Sequence, residues 1–213
     1  MSDSPVAIVT GASRGIGRAG ALALAEAGYD VVVSARTVKE GSGTSETQSV
    51  AHEAAAVVVP GSLERTAEEV EELGQRALIV PMDLMDLDAV LALPATVLQE
   101  WGRIDVLFNN AIYKGVGTLD KVADLTSESM MNMFTGNFIN QVLLIQAVLP
   151  RMLERGRGTI IDMVSGSARL DPPAPAGEGG WGILYSASKA AFGRVAGGIN
   201  AWSIQHDPTV PRY

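Results

Sequence analysis

The sequence contains no cysteine. Disulfides, thiolate nucleophiles and cysteine-based metal centres are therefore excluded, although the compartment is not thereby identified. Histidine is scarce: His52 and His206 are far apart and outside any ligand-like spacing, so no structural zinc site is expected. Apolar runs are short. None approaches the ~18–20 residues of a membrane-spanning helix. Met1-Ser2-Asp3-Ser4-Pro5 has neither the basic stretch nor the apolar core of a secretory signal. Cytoplasmic placement without a membrane partner is the resulting expectation. Basic charge is also in deficit, with 16 Lys and Arg against 24 Asp and Glu, a formal net charge of −8. A general nucleic-acid binder normally shows a basic surface, so nucleic acid is not expected as a partner; a local basic pocket for phosphate remains open.

What is present suits one compact domain over residues 1–213, 47% hydrophobic and 19% charged, large enough to bury a substantial core. Strand-like and helix-like stretches alternate, which predicts an α/β sheet made of parallel crossovers. Val6–Thr10, Val31–Ala35, Ala77–Pro81, Ile104–Phe108 and Thr159–Val164 read as five strands. Helical periodicity covers Gly15–Gly28, Leu63–Leu73, about Asp86–Trp101, a long stretch from a Thr126 cap to about Glu154, and about Tyr185–Asn200. Pro94 must kink its helix or mark its first turn. Two segments break the rhythm. The insertion at 37–62 is rich in Gly, Ser and Thr around an Ala-Ala-Ala-Val-Val-Val core, and reads either as a surface loop or as a small added element. Gly166–Gly182, with Asp171-Pro172-Pro173-Ala174-Pro175, reads as an irregular loop.

Thr10-Gly11-Ala12-Ser13-Arg14-Gly15-Ile16-Gly17 lies between the first strand and the first helix. In that context Gly11 permits a tight turn, Gly15 lets backbone approach a pyrophosphate, and Gly17 lets the helix pack against the strand. The helix start presents unpaired N–H groups and a positive dipole end to the anion. Arg14 lies inside the loop, and Arg36 follows the second strand, where an acidic residue would otherwise bond the adenosine ribose. Two guanidiniums there favour a 2′-phosphate, hence NADP(H) over NAD(H). Solvated arginines are the bland alternative. Asp83, after the third strand, is placed to meet the adenine amino group or to serve as a turn residue.

Tyr185-Ser186-Ala187-Ser188-Lys189 puts a phenol and an ammonium on one helical face. A neighbouring cation favours phenolate and draws a tyrosine toward the working pH range. Ser165, closing the fifth strand, is placed to hydrogen-bond a substrate oxygen, and Asn137, on an otherwise apolar helix, to hold a water linking Lys189 to solvent.

Together these motifs, with Asp83-Leu84 and Asn109-Asn110-Ala111, resemble the short-chain dehydrogenase/reductase family over about Val6–Ile199. The resemblance implies a Rossmann-type doubly wound parallel sheet, a three-layer α/β/α fold ordered 3-2-1-4-5-6-7, often paired into homodimers or homotetramers. It implies Tyr185 as general acid/base, Lys189 as the group lowering its pKa and bonding the nicotinamide ribose, Ser165 as the carbonyl-orienting donor and Asn137 as the end of a proton relay. It assigns Gly11, Ser13, Arg14, Gly15, Ile16, Gly17, Arg36, Asp83, Leu84, Asn110, Ala111, Tyr185 and Lys189 to the cofactor.

The sequence departs from the family in three places. The first is Ile112 in place of the usual Gly after Asn110-Ala111; the second is the long Ser165-to-Tyr185 stretch, in which Ser167 is a fallback for the serine role; the third is the end of the sequence. After the last helix, Ala201–Tyr213 forms an atypical tail without a strand pattern, where the family continues with two strands and a closing loop. The expected consequence is a sheet lacking its last two strands, open beside the fifth. Two functions follow. The leading one is an NADP(H)-dependent oxidoreductase interconverting a small or medium apolar alcohol and its ketone. The alternative is a catalytically incompetent dinucleotide-binding protein or partner subunit. A phosphotransferase fails because no Gly-Lys-Ser/Thr follows the glycines.

Overall fold

A computed structural model describes residues 4–45, 47–49 and 57–206, with the side chains of 201–206 left aside. His52, the Ala54–Ala56 part of the insertion, the His206 side chain and tail residues 207–213 lie outside this description.

The sheet is built on β1 (Val6–Thr10) and β2 (Asp30–Ser34), each buried at all five positions. Strands covered on both faces must be apolar throughout, and β-branched side chains suit them. With β3 (Ala77–Ile79), β4 (Val106–Asn109) and β5 (Thr159–Asp162), they form a five-stranded parallel sheet in the order β3-β2-β1-β4-β5. Central register is fixed by Ile8, which lies opposite Val32 on one side and Leu107 on the other. Among the described residues, β5 pairs with β4 alone.

Alternation along the strands feeds two cores. Val9, Val31 and Val33 pack under α1 (Gly15–Glu26) and α2 (Leu63–Glu72), meeting Ala21, Ala25, Leu63 and Val70. Val6, Ile8, Val32 and Leu107 face the opposite layer, α3 (Leu87–Trp101) and α5 (Asn140–Glu154), through Val90, Leu93, Val97, Leu144 and Val148. This is the expected three-layer arrangement. Because β2 and β4 flank β1 on opposite sides, the strand order reverses there, and a crevice opens beyond the carboxyl ends of β1 and β4.

Of the two readings of Pro94, a kink or a first turn, the second is excluded, because Pro94 sits buried in the interior of α3. The helices differ from expectation in two places. The stretch capped by Thr126 begins as α4 (Ser127–Phe134), passes through a π-helical segment at Thr135–Ile139, and continues as α5. The last expected helix is two, α6 (Ile183–Gly193) and α7 (Val195–His206), with Arg194 between them. In the insertion, Thr44 pairs antiparallel with Val58, a small added element within a loop. No described helix is long and apolar enough to cross a membrane.

Asp105, just before β4, ties three elements together. Its carboxylate accepts from the Val6 amide at 2.9 Å, from Arg103 at 2.7 and 2.8 Å, and from Arg155 at 3.5 Å. Burial pushes its carboxyl up, but the Arg103 and Val6 hydrogen bonds outweigh that and hold it below the usual aspartate range. A carboxyl depressed on folding contributes stability above its unfolded pKa and loses it as pH falls through the folded one. Asp105→Asn is therefore expected to cost about 2 kcal/mol at neutral pH, the worth of a charged hydrogen bond. In urea melts the gap from the unsubstituted protein should close as pH falls below the aspartate range; a gap independent of pH would contradict this.

Candidate active site

The glycine loop turns from β1 into α1 through two left-handed residues, Gly11 at φ 67° and Gly15 at φ 55°. Only glycine adopts such angles without strain. Gly17 has a different constraint: a Cβ there would collide with the Gly11 carbonyl oxygen and the Asn110 side-chain nitrogen. The expectation of helix-against-strand packing is thus refined, since Gly17 closes the loop against itself and against the residue following β4. α1 begins after Arg14 with no side-chain cap and no acidic residue in its first turn. By contrast α2, α3 and α4 are capped by Ser62, Asp86 and Thr126. The unmet amides of α1 suit an anion.

These groups open into a cavity of about 500 Å³, whose wall includes Gly11, Ser13, Arg14, Ile16 and Gly17, then Arg36, Asp83 and Leu84, then Asn110 and Ala111. The sequence-assigned cofactor residues from Gly11 to Ala111, Gly15 excepted, therefore share one wall. Tyr185 and Lys189 are not on it. The Thr10 hydroxyl accepts from the Asn110 and Ala111 amides, both at 3.0 Å, and donates to the Phe108 carbonyl at 3.3 Å. Asn110 Nδ2 returns a bond to the Thr10 carbonyl at 2.9 Å. The ends of β1 and β4 are thereby locked beneath the cavity.

At one end, Arg14 donates to Thr37 Oγ1 at 2.7 Å and to Ser13 Oγ at 3.4 Å. Arg36 lies 3.8 Å from an Asp83 oxygen, both side chains about half exposed. An exposed pair at that distance is weak and exchanges readily for a stronger anion. Leu84 is buried, and its carbonyl accepts from Asn140.

The catalytic candidates come together through α6, which packs against both the π segment and the Gly166–Ala168 turn that follows Ser165. Asn137 is fully buried in the π segment. Its amide clamps the backbone of Tyr113, accepting from the amide at 2.8 Å and donating to the carbonyl at 3.0 Å, and lies 3.5 Å from Ser188 Oγ. No hydrogen bond joins it to Lys189 among the described residues. Lys189, 2% exposed, donates to the Met163 carbonyl at 2.7 Å. Burial lowers its pKa to about 8; the Asp162 carboxylate opposes that fall and Lys114 adds to it. Burial in turn raises Asp162, against the Asn109 hydrogen bond and the Lys189 charge. Tyr185 is half-buried, and its hydroxyl makes no hydrogen bond among the described residues. Ser165 Oγ accepts from the Ser167 amide and hydroxyl, so the two serines form one pair.

A second cavity, about 530 Å³, adjoins this region, bounded by Ser167, Ser186 and Ile183 and by Val122, Leu170, Pro172, Pro175 and Trp181. The Gly166–Gly182 loop supplies much of its apolar wall. Lys114, Asp162 and the Thr10 lock were not singled out from the sequence. A carboxylate closing an apolar strand pattern was the available signal for Asp162; Lys114 gave none.

A family model described as "short chain dehydrogenase" matches residues 5–60 and 38–201. L-rhamnose 1-dehydrogenase (NAD(P)(+)) of Azotobacter vinelandii is 36% identical over 163 residues, 76% of this chain and 56% of that enzyme. The 1-deoxy-11-beta-hydroxypentalenate dehydrogenase of Streptomyces arenae is 34% identical over 205 residues, 94% and 61% of the two chains. Among solved structures, a metagenomic short-chain oxidoreductase in complex with NADP matches with TM-score 0.75 and 29% identity, over 95% of this chain and 77% of that one. A short-chain dehydrogenase from Mycobacterium paratuberculosis bound to NAD matches with TM-score 0.74 and 26% identity, over 95% and 68%. The chain belongs to the short-chain dehydrogenase family. It spans about half the length of the curated relatives it matches.

The charges around Lys189 give a signed test. Asp162→Asn removes the carboxylate that holds its pKa up, so the Lys189 midpoint should fall below about 8. Lys114→Ala should raise it. Titration of the Lys189 side-chain NMR signal measures both, and a shift of either variant in the opposite direction would contradict the arrangement.

Proposed function

We propose that the chain binds NADP(H) in preference to NAD(H) and interconverts a small or medium apolar alcohol and its ketone. The observation that carries this reading is the uncapped start of α1, opening with its glycine loop into the 500 Å³ cavity. Arg14 and Arg36 on the same wall support selection of a 2′-phosphate, through charge and paired N–H donors. Relatives bound to NADP and to NAD both exist, so the preference rests on these two arginines.

When bound, a nicotinamide dinucleotide would supply or accept the hydride. In the reducing direction the Tyr185 hydroxyl gives its proton to the substrate oxygen while the carbonyl carbon gains hydride. Ser165 donates a hydrogen bond to that oxygen as charge develops, its own oxygen being held by Ser167. Lys189 carries positive charge below about pH 8, favours the Tyr185 phenolate and bonds the nicotinamide ribose. Asn137 fixes the Tyr113 backbone and the π segment on which α6 rests. The apolar cavity beside Ser167 and Ser186 takes the substrate's hydrocarbon part.

Tyr185→Phe should abolish NADPH-dependent reduction across a carbonyl panel while leaving NADPH affinity nearly unchanged; substantial surviving turnover would reject the assigned role. Arg36→Ala should weaken NADPH about tenfold or more, as one charged hydrogen bond is worth, and leave NADH nearly unaffected in parallel titrations. Binding without turnover by the unsubstituted chain would favour a nucleotide-binding protein over an enzyme.

A further inference from the structure

Part of the insertion between β2 and α2 lines the cavity beside the glycine loop, and both of its sides are anchored. Near the arginines, Gly43 is buried so tightly that a Cβ would lie 2.7 Å from Thr37 Oγ1 and 2.8 Å from Arg14 Nη2. Next to it, Ser45 N donates to the Val57 carbonyl at 2.8 Å and Val59 N to the Gly43 carbonyl at 2.9 Å, holding the segment as a short antiparallel pair. Thr44, Ser45, Gln48 and Val59 stand on the cavity wall with the glycine loop.

The far side reaches the chain after β4. Leu119 N donates to the Gln48 carbonyl at 3.0 Å, and the Ser49 hydroxyl donates to Asp120. Asp120 is 3% exposed, and its second oxygen accepts from the Gly117 amide at 2.9 Å. A buried carboxylate is a strong, directional acceptor, because losing a donor leaves it under-solvated. Asp120 also borders the apolar cavity assigned to substrate. One side chain thus sits between the strap and the second cavity.

We propose that Gly43–Ser45 and Thr47–Ser49 form a strap over the dinucleotide site, with Thr44, Ser45 and Gln48 offering polar groups to the bound nucleotide and Asp120 as the positioning residue that latches it through Ser49. This rests on the dinucleotide reading above. An anchored strap retards departure of a ligand lying beneath it, so the latch sets the rate at which nucleotide leaves. A simple surface loop would have no such effect.

The experiment follows release of prebound NADPH by its fluorescence after mixing with excess NADP⁺. Ser49→Ala and Asp120→Asn should each speed release by about threefold to tenfold, the loss of one hydrogen bond. The double variant should be no faster than the faster single one, because both break the same link. Ser42→Ala, whose hydroxyl bonds the Lys39 carbonyl off the cavity wall, should release at the unsubstituted rate. Hydrogen exchange over 43–49 and 117–121 in the unsubstituted protein should slow when NADPH binds. If Asp120→Asn fails to fold, Ser49→Ala decides alone. Tight NADPH binding with release unchanged in Ser49→Ala, or with no change in exchange, overturns the strap and leaves the dinucleotide reading standing. Absence of NADPH binding overturns both.

Discussion

The first turn of α1 carries backbone amides that no side chain satisfies, at the point where the sheet changes direction. A missing cap costs a helix about 0.5–2 kcal/mol, and three other helices of this chain avoid that cost. Leaving α1 uncapped concentrates positive dipole at the mouth of a cavity whose other groups are arranged around it. Gly11 and Gly15 turn the backbone toward that mouth, and Gly17 lets Asn110 and the Gly11 carbonyl approach where a side chain would stand. Thr10 and Asn110 then rivet β1 to β4. The floor of the site thus consists of two neighbouring inner strands of the sheet.

The second constraint is a buried ammonium. Lys189 is among the largest fully buried side chains, and burying a cation is costly unless polar groups replace its water. The Met163 carbonyl accepts a hydrogen bond from it, the Asp162 charge partly offsets desolvation, and the Phe192 ring lies 5.9 Å away. Such a lysine is poised near neutrality rather than fixed as a permanent cation. The π segment contributes by seating α6, since its extra residue places Asn137 against the Tyr113 backbone. Local widening of this kind often marks functional positions in helices.

Much of the fold was legible because its signals are local. β1 begins and ends where the apolar run does, and Leu63–Glu72 matches the acidic amphipathic pattern within one residue. Thr126 caps its helix as read. The misses are tertiary. Nothing in helical periodicity reports that Asn137 bonds a segment 24 residues away, so the π segment was invisible. The glycine loop and the Tyr185/Lys189 pair were readable as motifs, and their neighbours were not. Lys114 and Asp162 act on Lys189 through space, and Ser49 meets Asp120 across 71 residues. Spacing rules cannot see contacts that long.

The central claim is that the amides opening α1 hold a dinucleotide pyrophosphate. A crystal structure of the chain with NADP(H) tests it most directly. The account predicts pyrophosphate oxygens within hydrogen-bond distance of the amides at Gly15–Gly17, with the 2′-phosphate between Arg14 and Arg36. A nucleotide bound elsewhere, or with its pyrophosphate turned away from α1, would contradict it.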